Sequence, residues 1–73
     1  MPTTPTALTG ANVRGEMARK GINQTAMADA LGVSQAAVSA RLRGVTPFDI
    51  NELATIARLL DVTVERLVEG VAA

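Results

Sequence analysis

Gly21-Ile22-Asn23-Gln24-Thr25-Ala26-Met27-Ala28-Asp29-Ala30-Leu31-Gly32-Val33-Ser34-Gln35-Ala36-Ala37-Val38 is the stretch whose reading decides the fold. One local pattern occurs in it twice: an apolar residue, a capping residue, three residues, then another apolar residue. Ile22-Asn23 with Met27 is the first instance and Val33-Ser34 with Val38 the second. This spacing is the hydrophobic staple of a helix start, in which the cap side chain accepts a hydrogen bond from an otherwise unpaired first-turn amide. Between the two starts, Ala28 allows close helix crossing and Gly32 can take a left-handed conformation, while Leu31, Val33 and Val38 can fill the angle. Two short helices joined by a sharp turn are predicted, spanning about Asn23 to Arg43.

The same pattern recurs downstream as Phe48-Asp49 with Leu53 and Val62-Thr63 with Leu67, and Asp49 with Glu52 has the spacing of a capping box. Gly32, Gly44 and Gly70 stand where a chain leaving a helix commonly turns through positive φ. Helices 2 to 5 are therefore expected near 23–31, 34–43, 49–60 and 63–70. Upstream, Leu8, Val13, Met17 and Ala18 repeat at roughly helical spacing up to Gly21, although Gly10 and Gly15 each weaken such a helix by about 1 kcal/mol relative to Ala. Structure is expected to start near Thr6 or Ala7, giving a disordered tail at 1–6 and one domain at 7–71. Helix 4 presents Ile50, Leu53, Ala54, Ala57 and Leu60 as a core stripe. Helix 5 presents Val64, Leu67, Val68 and Val71, part of which could meet a partner subunit.

A chain of 73 residues with 48% hydrophobic content has room for one core. With Phe48 as its single aromatic, that core must be aliphatic, and an all-α fold follows. The absence of Cys and His removes disulfides, the commonest zinc sites and the usual nucleophile–imidazole pairings. No phosphate loop or paired nucleophile and base is present, so an enzyme is not expected, and neither is a cofactor, a metal or a small-molecule ligand. The N-terminal residues show neither a signal peptide nor a membrane span, and a cytoplasmic location is expected. The formal net charge of zero conceals a division, with residues 1–48 carrying +3 and residues 49–73 carrying −3. One half can face a polyanion while the other faces away.

The outward side of helix 3 carries Gln35, Ala36, Ser39, Ala40 and Arg43 and has no bulky apolar group. Gln can bond adenine through its amide, Arg can bond guanine or phosphate, Ser can do either, and Ala admits a thymine methyl. The alternative from chemistry alone is a merely solvated helix face.

The segment 21–44, together with Leu53-Ala-Thr-Ile-Ala-Arg-Leu-Leu-Asp-Val62, resembles the helix-turn-helix domains of the Cro/repressor family, the phage lambda repressor type. The resemblance covers about residues 7–70. It implies a compact five-helix domain with helix 3 in the major groove of double-stranded DNA. By the same resemblance Gln24, with Asn23 and Ser34 at the caps, would grip backbone phosphates. Gln35 and Ala36 would be the principal base readers, joined one turn later by Ser39 and Ala40. Arg43 and Thr46 complete the expected DNA-binding set. The implied activity is a sequence-specific transcriptional regulator, Cro-like or a small phage or bacterial repressor, binding operator half-sites as a homodimer. The competing reading is a protein-interaction or antitoxin-like module on the same fold.

Three departures from that family stand out. Met17 and Leu42 occupy the places of an Arg and a Glu that often join helices 1 and 3, and an apolar contact is expected in exchange. Arg41 occupies a usually apolar position, where it can reach a phosphate or an acid such as Asp49 or Glu52, a structural ion pair being the favoured reading. The loop Gly44-Val-Thr-Pro-Phe48 lacks the basic residues that often touch backbone there, which favours dimeric use.

Overall fold

The computed structural model describes residues 4–71. Its elements are α1 (Pro5–Lys20), α2 (Gln24–Leu31), α3 (Gln35–Leu42), α4 (Ile50–Leu60) and α5 (Val64–Leu67). The all-α, five-helix expectation is met. All four expected caps are in place: Asn23, Ser34, Asp49 and Thr63 each accept a bond from a first-turn amide, and Asp49 with Glu52 closes a full capping box.

The chain reuses one corner three times. Gly21-Ile22-Asn23, Gly32-Val33-Ser34 and Asp61-Val62-Thr63 each place a left-handed residue, an apolar residue and a cap in succession. The apolar amide reaches back five residues, from Ile22 to Met17 O at 3.0 Å, Val33 to Ala28 O at 3.1 Å and Val62 to Ala57 O at 2.9 Å. This is the Schellman closure, and the same apolar residue begins the staple of the following helix. Ile22, Val33 and Val62 accordingly pack part-buried against the core. A single side chain thus ends one helix and orients the next, which keeps the corners short. Two of the left-handed positions are glycine, and the third is Asp61 at φ 55°.

The core comprises Val13, Met17, Met27, Ala28, Val38, Leu42, Leu53, Ile56, Ala57, Leu60 and Leu67. Met17 and Leu42 are both buried in it, so the places of the family's ion pair are apolar here. α1 packs on α3, α4 and α5, and α2 packs on α3 and α4. The α1–α3 approach depends on Gly10, because a Cβ there would stand 2.7 Å from the carbonyl oxygens of both Arg41 and Leu42. Backbone that close cannot yield to a methyl group, so glycine is required for packing in spite of its helix propensity.

Four expectations need adjusting. α1 begins at Pro5, inside the segment expected as tail, because Thr4 Oγ1 accepts from Ala7 N at 3.1 Å and proline suits the first turn of a helix. Residues 1–3 of that tail lie outside the described residues. α5 is a single turn that ends at Leu67 and continues as turns through Gly70 at φ 87°, shorter than the expected 63–70. Ala18, expected inside, is exposed, while Gly10 and Glu16 are buried. On α4 the buried face is rotated: Ile50 is 67% exposed and Ile56 fully buried. Asn51, Glu52, Thr55 and Arg58 share one side of the helix, and the apolar stripe opposite them is broad, with Ile50 and Ile56 on its two borders. Packing on α2 and α5 buries Leu53, Ile56, Ala57 and Leu60 and leaves the Ile50 border outside.

The buried carboxylate of Glu16 was not foreseen. It is 5% exposed and pairs with Arg19 on its own helix. Arg66 Nε, on α5, also donates to it at 3.1 Å. Burial alone would push its carboxyl up, but the hydrogen bond from Arg66 and the positive charges of Arg19 and Arg66 outweigh that and hold it below its ordinary value.

Candidate nucleic-acid interface

The corner between α2 and α3 leaves α3 standing out with one side on the core through Val38 and Leu42. On the other side Gln35, Ala36 and Arg43 are exposed, and Ser39 and Ala40 are half-buried. Gln35, Ser39 and Arg43 follow one another at four-residue spacing and form a single polar edge. Arg43 Nε donates to Ser39 Oγ at 3.3 Å, which holds the exposed side chain along the helix and leaves its terminal nitrogens free of this bond. Gln35 makes no side-chain hydrogen bond within the described residues, so its amide donor and acceptor are both available for a base edge.

The caps have a second face. Asn23 Oδ1 accepts from Ala26 N at 2.8 Å and Ser34 Oγ from Ala37 N at 3.0 Å. Capping uses the acceptors only. The Asn23 amide protons and the Ser34 hydroxyl proton are left as donors at the N-termini of α2 and α3, where the helix dipoles also favour an anion. Gln24 is exposed beside Asn23. Their polarity is that of phosphate ligands.

The loop after α3 is drawn back onto it. Ala40 O accepts from Val45 N at 2.9 Å and from Thr46 N at 3.4 Å, and Thr46 itself is exposed. Arg41 is turned away from the exposed edge and engages Glu52 of α4, with Nε to Oε1 at 3.2 Å and Nη2 to Oε2 at 3.2 Å. Of the two acids open to it from sequence, Asp49 and Glu52, the one engaged is Glu52. That pairing joins residues eleven apart. The Glu16–Arg66 pair joins residues fifty apart, and no local signal could have announced it. Among the described residues no group of acidic side chains is arranged to hold a metal ion, and no helix is long and apolar enough to cross a membrane.

Residues 14–67 match the family model described as helix-turn-helix. Among solved structures, the chain is similar to the restriction-modification controller protein C.AhdI from Aeromonas hydrophila. The TM-score is 0.76 and the identity 22%, over 85% of this chain and 94% of that one. A likeness at that identity carries the fold and not the side chains that read a ligand. No curated protein matches the sequence.

Proposed function

The chain belongs to the helix-turn-helix family of Cro/C1 type, and on that premise we propose that it is a transcriptional regulator that reads operator DNA with α3. The observation that carries this reading is the polar edge Gln35–Ser39–Arg43, exposed at Gln35 and Arg43 and half-buried at Ser39, bordered by Ala36 and Ala40 and free of bulky apolar groups. In the proposed complex Gln35 and Ala36 read bases first, and Ser39, Ala40 and Arg43 follow one turn deeper along the groove. Asn23, Gln24 and Ser34 hold phosphates through the donors their capping roles leave free, and Thr46 adds a contact from the loop. The protein acts as a homodimer on half-sites about 34 Å apart, because a monomer with so few positive charges at this face would bind weakly. The partner subunit meets the C-terminal segment that carries Val68 and Val71, and the site of action is the cytoplasm.

Selection of bound sites from random duplex DNA tests the proposal. The expected result is an enriched palindrome with two half-sites one helical turn apart. Recovery of no motif at low salt would sink it.

A second reading, a protein-interaction module on this fold, is favoured by one feature. Val45 and Ile50 are each 67% exposed on either side of a loop that carries no positive charge. A protein that co-purifies stoichiometrically, with no retardation of any DNA, would select that reading instead.

A further inference from the structure

An open groove of about 540 Å³ runs between α1 and the C-terminal segment, on residues that the DNA reading does not use. Its α1 wall contains Gly15, in the middle of the helix. A Cβ built at Gly15 meets nothing within 4 Å, so no close approach demands glycine there, and helix propensity disfavours it. The missing side chain leaves the groove open.

The polar groups along the groove are sorted by type. At one end Arg19 Nη1 and Arg66 Nε both contact the same oxygen of the buried Glu16, and their side chains are 61% and 52% exposed. Each guanidinium has five N–H donors, so most of them stay unused, and Glu16 holds the two forks in place from behind. Asn12 lies further along. Its amide donates to Leu67 O at 3.1 Å and to Glu69 O at 3.0 Å, which leaves Oδ1 as an acceptor. Glu69 also lines the groove, and its carboxylate pairs with no side chain among the described residues.

We propose that this groove binds a small zwitterion of amino-acid class, its carboxylate on Arg19 and Arg66 and its ammonium on Asn12 Oδ1 and Glu69. The charges of Glu16, Arg19, Arg66 and Glu69 cancel, so a simple anion or cation gains nothing from the net field, whereas a ligand carrying both signs meets a complement at each end. Bound there, it bridges the first and last helices and stabilises the fold through mass action. The sequence holds no motif for such a ligand because the two walls lie some fifty residues apart.

Amide chemical-shift titration of the intact protein tests the site, using the common amino acids as probes with succinate, inorganic phosphate and ethylamine as single-sign controls. The expected result is saturable shifts at Asn12, Gly15 and Gly70 for at least one amino acid, with Kd on the order of 1 mM and at least tenfold weaker binding of the controls. Gly15→Leu, which grows into open space, should keep the circular dichroism of the parent and abolish saturation, and Arg66→Gln should weaken binding about tenfold. Shifts that stay linear to about 20 mM for every probe overturn the proposal. So does phosphate binding as tightly as the best amino acid, or a folded Gly15→Leu that binds as the parent does.

Discussion

Arg41 on α3 and Glu52 on α4 meet fork to fork, with two contacts of 3.2 Å. The oxygen that accepts from Arg41 Nε also accepts from Asp49 N at 3.0 Å, and Arg41 Nη1 donates to Ala37 O at 3.1 Å. One carboxylate therefore completes the capping box of α4 and anchors the back of α3. The side chains are 17% and 14% exposed, so solvent screens the pair less than it would a surface bridge. The two partners are not equivalent. Glu52→Ala removes the box and strands a half-buried guanidinium, and should destabilise by about 2–3 kcal/mol. Arg41→Met leaves the box intact and should cost about 1 kcal/mol. Urea denaturation of both variants checks the order, and equal losses would contradict it.

The two glycines inside α1 should respond to alanine with opposite signs. At Gly10 the new methyl would meet two carbonyl oxygens at 2.7 Å, and a loss of about 2 kcal/mol is expected despite the better helix propensity. At Gly15 it meets nothing, and a gain of up to about 1 kcal/mol is expected. Thermal unfolding of the two single variants reads the difference directly.

Asp61 occupies, at φ 55°, the corner position that Gly21 and Gly32 occupy at φ 68°. A residue with a Cβ is strained there, so Asp61→Gly should stabilise by about 0.5–1 kcal/mol, while Gly32→Ala should destabilise by about 1 kcal/mol. The pair of denaturation midpoints tests whether the corners are equivalent. A destabilised Asp61→Gly would show that the Asp side chain has a role of its own.

Glu16 should give the fold an acid-sensitive component. Its carboxyl titrates below its ordinary value in the folded protein, so the unfolded chain takes up that proton first as pH falls. The stabilisation is complete above the ordinary glutamate range and is lost as pH drops through the lower, folded value. The stability difference between the parent and Glu16→Gln should therefore be constant from pH 7 to about 5 and shrink towards pH 3. A difference independent of pH over that interval would assign the role of Glu16 to packing.

Substitutions on the proposed DNA face should separate reading from gripping. Gln35→Ala should lower discrimination between the selected site and scrambled DNA by about 1–3 kcal/mol. Gln24→Ala should weaken both about equally and leave the salt slope unchanged, because the lost group is neutral. Arg43→Ala reports its own role: a slope reduced by about one marks a phosphate contact, and lost discrimination a base contact. Unchanged discrimination on Gln35→Ala would move base reading away from the start of α3.

The starts of α2 to α5 and the corner at Gly32 were legible in the sequence because each is a contract among residues at most six apart, whereas the Thr4 cap of α1 and the left-handed Asp61 were not expected. Ile22, Asn23 and Met27 specify a helix start without reference to the rest of the chain, and so do Val62, Thr63 and Leu67. The polar edge of α3 was legible for the same reason, since helical spacing alone puts Gln35, Ser39 and Arg43 in line. The borders of the α4 stripe were not. Leu53, Ala57 and Leu60 are buried as expected, but Ile50 and Ile56 are equally apolar and flank them, and the packing of α2 and α5 decides that Ile56 is buried while Ile50 faces solvent. The requirement for glycine at position 10, the partner of Arg41 and the burial of Glu16 beneath Arg66 likewise depend on what the closed chain brings alongside. Local hydrogen bonds and staples are short-range terms that a sequence states outright, whereas contacts across dozens of residues exist only after helix packing has set which faces meet.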